Sequence, residues 1–191
     1  MRIVGGSFKG RALKAPRSDA VRPTTDRARE SLFNILEHSN LFSPSQEIDG
    51  ARVIDVFAGT GALGLEALSR GAAFALFVDA SIEGRSLIRH NIEACGVAAK
   101  ARLFKRDATR LGSRGSMAPF TLGFLDPPYA QRLAESALSA LHQGTWLEPG
   151  ALVIVEESAS VELSVPAGFT IAEIRGFGGS QIIFLRYSGE R

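Results

Sequence analysis

The chain has one cysteine, Cys95, which excludes an internal disulfide framework and any cysteine-built zinc cluster. Its three histidines, His38, His90 and His142, fall at no metal-ligand spacing, so no metal is expected. No apolar run reaches membrane-spanning length, and Met1 leads straight into a patterned segment instead of a signal peptide. The expectation is a cytoplasmic protein with no membrane partner. Internal repeats and low-complexity tracts are also missing. Acid is scarce at the start: residues 1–30 hold eight basic groups against Asp19, Asp26 and Glu30, while the remainder carries 14 basic and 17 acidic groups. A second basic cluster, Lys100, Arg102, Lys105, Arg106, Arg110 and Arg114, contains only Asp107 as an acid. Charge gathered this way is a footprint for a polyanion, although a solvated face has the same composition.

What is present fits one globular unit. At 191 residues the chain can bury a sizeable core without staples, and nothing demands a dimer, so a monomer is expected. Residues 2–16 show short apolar runs around glycines and suggest a small hairpin or arm. Residues 22–38 start with Pro23 and capping threonines, and place Ala28, Leu32, Ile35 and Leu36 on one helical face. From Arg52 the pattern is strand, glycine turn, helix. Strands are expected at 52–57, 72–79, 100–107, 120–126 and 151–157, with helices at 61–70 and 81–95. This alternation predicts an α/β fold with a parallel sheet covered on both faces. Residues 169–187 are instead two β-type runs about a glycine-rich turn, an antiparallel hairpin at the sheet edge.

Ligands of open α/β sheets bind outside the carboxyl ends of the strands. Asp55, Asp79, Asp107 and Asp126 all stand there. One acid at a strand end is usually a helix cap, but four in succession point to a site. DVFAGTGALG (55–64) places Gly59, Gly61 and Gly64 as G-x-G-x-x-G between a strand and a helix, the context of a nucleotide-binding turn. Asp79 ends the next strand, where an acid accepts hydrogen bonds from ribose hydroxyls. These features suit either a nicotinamide dinucleotide or S-adenosyl-L-methionine. Asp55, directly before the turn, would repel a pyrophosphate and welcome an ammonium group, which favours the latter. Asp107 could reach an adenine amino group.

The stretch FLDPPY (124–129) ends a strand in an acid, two prolines and an aromatic ring. The exocyclic nitrogen of a base or amide has a delocalised lone pair. A carboxylate and a backbone carbonyl that hold its two hydrogens turn that lone pair toward a methyl donor, by orientation and electrostatics. Asp126 and the Pro127 carbonyl suit this task, and Tyr129 can stack on a planar substrate. Gly123, inside the same strand, suggests close approach of a neighbour or local weakness. The loop 112–119 has no assigned role. Trp146 and the phenylalanines are expected to pack in the core.

Together, DVFAGTGALG, Asp79, Asp107 and DPPY resemble class I S-adenosylmethionine-dependent methyltransferases of the amino-methylating branch. RIVGGSFKGR with RPTTDRARESLFN is similar to the bacterial 16S rRNA guanine-N2 methyltransferase (RsmD) family, over about residues 2–187. The resemblance implies a Rossmann-like, seven-stranded, mostly parallel sheet with an antiparallel last strand. It also implies a basic extension over 1–50 and a cofactor-binding domain over 51–191, forming one compact unit. The implied reaction is methylation of N2 of guanine 966 of 16S rRNA in the assembling small ribosomal subunit. By the same resemblance Asp55, Phe57, Gly59 and Gly61 would line the methionine part of the cofactor. Asp79 would hold its ribose, Asp107 would contact adenine, and Thr24 would lie close by. Asp126, Pro127 and Tyr129 would hold the target base, and Lys9, Arg11, Lys14 and Arg22 would face RNA.

Other readings share parts of this pattern. A DNA adenine or protein glutamine methyltransferase could use DPPY, but the chain lacks a target-recognition domain and the arm is basic. A dehydrogenase leaves Asp55, Asp107 and DPPY without a task. A non-catalytic RNA-binding assembly factor has no use for a cofactor pocket.

Overall fold

A computed structural model describes residues 1–16, 25–41, 47–128 and 132–189. Its centre is a seven-stranded sheet in the order β3-β2-β1-β4-β5-β7-β6. The strands are β1 (Arg52–Val56), β2 (Phe74–Val78), β3 (Ala101–Phe104), β4 (Phe120–Leu125), β5 (Leu147–Ser158), β6 (Phe169–Phe177) and β7 (Ser180–Tyr187). All neighbours pair in parallel except β7, which runs antiparallel to both β5 and β6. The expected fold class and terminal hairpin are both present.

Strands β1 and β4 are apolar on both faces because helices cover both. On one side Val53, Phe77, Phe124 and Phe184 lie in a cluster with residues of α1 (Asp26–His38), α2 (Ala62–Ser69) and α3 (Ile82–Cys95). Ile3 and Leu13 of the N-terminal segment belong to the same cluster. On the other side Ile54, Val78, Val153 and Leu185 pack with α4 (Leu133–Gln143) and Trp146.

Local signals set the helix ends. Thr25 Oγ1 accepts the Ala28 N–H at 3.2 Å and Ser81 Oγ accepts the Gly84 N–H at 3.0 Å, two N-caps of the usual kind. Gly96, at φ 70°, stops α3.

Two features differ from the sequence reading. The buried face of α1 is Arg29, Leu32, Phe33 and Leu36, while Ala28 and Ile35 are only half-buried. The helix is rotated because Arg29 turns inward to Glu66 of α2. β5 begins at Leu147, before Pro149-Gly150, a pair that reads as a turn in the sequence; the β4 pairing is irregular there. The arm is a small folded-back hairpin, as expected: Arg2 and Ala12 form an antiparallel bridge, Ile3 N–H donates to Arg11 O at 2.9 Å and Leu13 N–H to Met1 O at 3.1 Å, with a 3-10 turn at Gly6–Phe8 between them.

Gly123 and the loop 112–119 both have ordinary structural places. A Cβ at Gly123 would meet Val153 at 3.4 Å and Ile54 at 3.7 Å, normal van der Waals contact, so the strand does not need glycine there to admit a close neighbour. The loop 112–119 is a brace: Gly112 O accepts the Trp146 indole N–H at 2.7 Å, and Arg114 donates to the carbonyls of Thr145 and Met117. Trp146 itself is wholly buried and stacks on Phe120.

Candidate active site

The strand order reverses between β1 and β4, and a crevice opens at such a switch point beyond the carboxyl ends. β1 ends at Val56 and the chain enters a turn with three left-handed residues: Phe57 (φ 59°), Gly59 (φ 54°) and Gly61 (φ 76°). The glycines take this conformation without penalty, whereas Phe57 stores roughly 1–2 kcal/mol of backbone strain. A Cβ at Gly59 would face open space, with nothing nearer than the Phe57 carbonyl at 3.8 Å. Gly64 is different, because a Cβ there would lie 2.4 Å from the Phe77 ring and 3.2 Å from Asp55 Oδ2. It is the glycine that lets α2 pack directly on the sheet.

Three of the four strand-end acids converge. Asp55 is 1% exposed, and its Oδ2 accepts the Gly64 N–H at 2.9 Å. Burial pushes its carboxyl well above the ordinary range; the Gly64 bond opposes the rise, and the charges of Asp126 and Asp79 add to it. Asp79 Oδ2 accepts the Gly59 N–H at 2.8 Å, and its Oδ1 accepts both Ser81 N–H and Oγ–H, at 2.8 and 2.7 Å. The Asp79 carboxylate thus ties the end of β2 to the glycine turn and to the cap of α3. Asp126, half-buried, follows β4 directly, and Pro127 behind it is buried.

Asp107 stands apart: β3 stops at Phe104, short of the expected 107, and Asp107 is the exposed cap of a 3-10 turn at Ala108–Arg110. Its Oδ1 accepts the Thr109 hydroxyl and N–H, at 2.7 and 2.9 Å, and these bonds hold its carboxyl below the ordinary range. Thr24, Arg22, Pro23 and Tyr129 lie outside the described residues.

Two residues of α3 beside these bonds were passed over by the sequence reading. Ile82, first residue of α3 and next to the Ser81 cap, is 81% exposed, the most open large apolar side chain among the described residues. Asn91 of α3 is fully buried and bonds both the arm and the glycine turn. An apolar residue at the first position of a capped helix was a visible signal for Ile82. A lone asparagine in mid-helix gave none for Asn91.

The basic groups divide by task. Lys9, Arg11 and Lys14 are exposed. Arg11 donates to the Ala94 carbonyl in the last turn of α3, where a cation is also favoured by the helix dipole. That end is roughly 20 Å along the helix from Ser81. In the second cluster Arg106 donates to the Leu111 carbonyl at 2.6 Å and lies over the rings of Phe104 and Trp146, so it and Arg114 brace the fold.

Comparison with known proteins gives a consistent result. A family model described as "Conserved hypothetical protein 95" matches residues 1–186. "Ribosomal RNA small subunit methyltransferase D" of Escherichia coli (strain K12) is 36% identical over 192 residues, covering 100% of this chain and 90% of the relative. "Putative rRNA methyltransferase YlbH" of Bacillus subtilis (strain 168) is 34% identical over 170 residues, 88% of each chain. The solved structure "Putative methyltransferase yhhF from Escherichia coli" superposes with a TM-score of 0.81 at 32% identity, over 100% of this chain and 99% of that one. With a sheet, a glycine turn and converging strand-end acids already in place, the chain belongs to the family of ribosomal RNA small subunit methyltransferase D.

Proposed function

We propose that this protein methylates N2 of guanine 966 in 16S rRNA, within the small subunit or its assembly intermediate, with S-adenosyl-L-methionine as cofactor. The observation that carries the reading is the position of Asp126: directly after β4, at the switch point, on the strand beside β1 and near enough to Asp55 for its charge to raise that carboxyl.

The residues present fit the cofactor. Open space above Gly59 admits a ligand against the backbone, and buried Asp55 offers a carboxylate to an ammonium group. Each Asp79 oxygen can accept more than one hydrogen bond, so Oδ2 can take a ribose hydroxyl beside the Gly59 N–H. Ile82 gives adenine an apolar surface, and Asp107 Oδ2 is available to its amino group. Bound there, the cofactor supplies a methyl group made electrophilic by a sulfonium.

The protein then has to present a poor nucleophile. Asp126 and the Pro127 carbonyl accept the two N2 hydrogens and turn the nitrogen lone pair toward the crevice. As the nitrogen gains carbon it becomes acidic, and the Asp126 carboxylate receives the proton it loses. Placement and a fixed negative charge account for the rate; no strong base is needed. Tyr129 stacks on the flipped base, while Lys9, Lys14, Arg11 and Arg22 contact the RNA backbone.

The test is methyl transfer from labelled S-adenosyl-L-methionine to small subunits that lack the modification, followed by nuclease digestion and mass mapping. Label on N2 of that single guanine is expected. Label on another nucleotide or on protein would move the substrate, no label with retained cofactor binding would point to another amino-bearing substrate, and no label with no cofactor binding would favour an assembly factor.

A further inference from the structure

Asn91 has no solvent exposure, and its carboxamide makes three hydrogen bonds. Oδ1 accepts the Lys14 N–H at 2.8 Å, while Nδ2 donates to the carbonyls of Lys14 at 3.1 Å and Thr60 at 2.9 Å. The first two bonds imitate a rung between strands, with a helix side chain gripping both polar groups of one arm residue. The third reaches the residue between Gly59 and Gly61. Both amide hydrogens are committed. A flipped amide would set donor against donor at Lys14 and oxygen against two carbonyls.

The Thr60 carbonyl is a sensitive place to hold. It belongs to the peptide plane that joins Thr60 to Gly61, and the Gly61 N–H on the other side of that plane donates to the Ala58 carbonyl at 2.6 Å. Asn91 and Ala58 therefore pin one plane from both sides. Glycines at 59 and 61 make other turn conformations cheap, so a turn of this composition keeps its shape only through such pins.

We propose that Asn91 is a positioning residue for cofactor binding: it holds the glycine turn in its receptive shape and makes that shape conditional on docking of the N-terminal arm at Lys14. The proposal rests on Gly59–Gly61 being the cofactor turn. It deepens that reading by making the basic arm, proposed to face RNA, part of the cofactor site's support. By linkage, whatever seats the arm more firmly also strengthens cofactor binding.

Ser69 supplies the control. Its Oγ accepts the Phe8 N–H at 2.9 Å and donates to the Gly5 carbonyl at 2.6 Å, so it anchors the same arm without touching the turn. Wild type, Asn91→Ala and Ser69→Ala would be titrated with S-adenosylhomocysteine, alongside thermal melts. Both variants are expected to melt earlier; Asn91→Ala should bind more weakly by about tenfold, as befits a buried carbonyl left unpaired, while Ser69→Ala, which loosens the arm away from Lys14 and leaves the turn's own bond in place, should lose clearly less. In turnover the same variant should raise the cofactor KM and leave kcat at saturation within about twofold. Equal affinity losses in the two variants, or none in Asn91→Ala, overturn the proposal. Failure of wild type to bind S-adenosylhomocysteine overturns the reading of the turn instead. If Asn91→Ala does not fold, amide exchange in wild type decides: S-adenosylhomocysteine should slow exchange at the Lys14 N–H, and unchanged exchange there refutes the link.

Discussion

Arg29 and Glu66 meet with both side chains withdrawn from solvent, Nε to Oε2 at 3.5 Å, and so join α1 to α2. The same carboxylate accepts the Val4 N–H at 2.9 Å and the Arg70 Nε–H at 2.9 Å. Arg29 in turn donates to the Arg2 carbonyl and to Asp26. One buried acid therefore gathers the N-terminal segment and two helices. Removing either partner leaves the other buried charge one counter-ion short, with Arg70 still beside Glu66 and Asp26 still beside Arg29. Glu66→Ala or Arg29→Ala should therefore each cost up to about 3 kcal/mol, the lower edge of the range for a buried charge left wholly unpaired. The double change Arg29→Met with Glu66→Leu should cost clearly less than either single one. Urea denaturation checks both statements, and a single variant as stable as wild type would contradict them.

Asp55 makes stability and cofactor binding depend on pH in opposite ways. Burial first, then the charges of Asp126 and Asp79, raise its carboxyl above the ordinary value of 3.8 in the folded protein. An acid of this kind holds its proton more tightly folded than unfolded. Its favourable contribution is present at low pH and is lost as pH rises from 3.8 through the raised folded value. Melting temperatures of wild type should therefore fall relative to Asp55→Asn across that window. An arriving ammonium group reverses the effect by favouring the ionised carboxylate. Cofactor binding should release protons, and affinity should rise with pH. Calorimetry in two buffers of different ionisation enthalpy measures the release, which should vanish in Asp55→Asn. Equal proton transfer in both proteins would remove Asp55 from the ammonium site.

The strand–turn–helix alternation, the terminal hairpin and the strand-end acids were legible because each has a local cause: apolar runs, glycine at a left-handed turn, a capping serine. The inward turn of Arg29 was hidden, since its reason is Glu66, 37 residues away in sequence. The early start of β5 was hidden by Pro149-Gly150, which keeps its local preference as an irregular stretch, Gly150 at φ 88°, between the Leu147 and Leu152 rungs to β4. Position in sequence told that Asp55 and Asp79 stand at strand ends. It could not tell that one Asp55 oxygen holds the Gly64 N–H or that Asp79 ties the glycine turn to the helix cap.

The exposed lysines of the arm give a cleaner electrostatic test than its arginine. Arg11 also caps α3, so its replacement would mix a change of charge with a change of stability. Lys9 and Lys14 are exposed, and the bonds of Lys14 to Asn91 come from its backbone. Lys9→Glu with Lys14→Glu should keep the melting temperature and weaken RNA binding. The slope of log affinity against log salt should shrink by about 0.7–0.9 for each phosphate that is no longer neutralised. A slope equal to that of wild type would take the arm off the RNA.

Asp126 separates orientation from cofactor binding. Its proposed partners are on the substrate amine, so Asp126→Ala should leave S-adenosylhomocysteine affinity nearly intact. Loss of its charge beside Asp55 should even ease ionisation of that buried acid. Turnover is another matter, because without the carboxylate the N2 lone pair stays delocalised into the ring. Asp126→Asn keeps one acceptor oxygen but no charge, and it places an N–H donor where the proton must leave. Removing a single preorganised electrostatic partner typically costs about 10²–10³ in kcat, which sets the expected loss for Asp126→Asn. Asp126→Ala should fall further. Single-turnover assays with saturating cofactor measure the chemical step directly. Near-normal rates in Asp126→Ala would mean that the amine is aligned by other groups and that the hydrogen-holding mechanism is wrong. A loss confined to cofactor affinity would move Asp126 from the substrate's side of the crevice to the cofactor's.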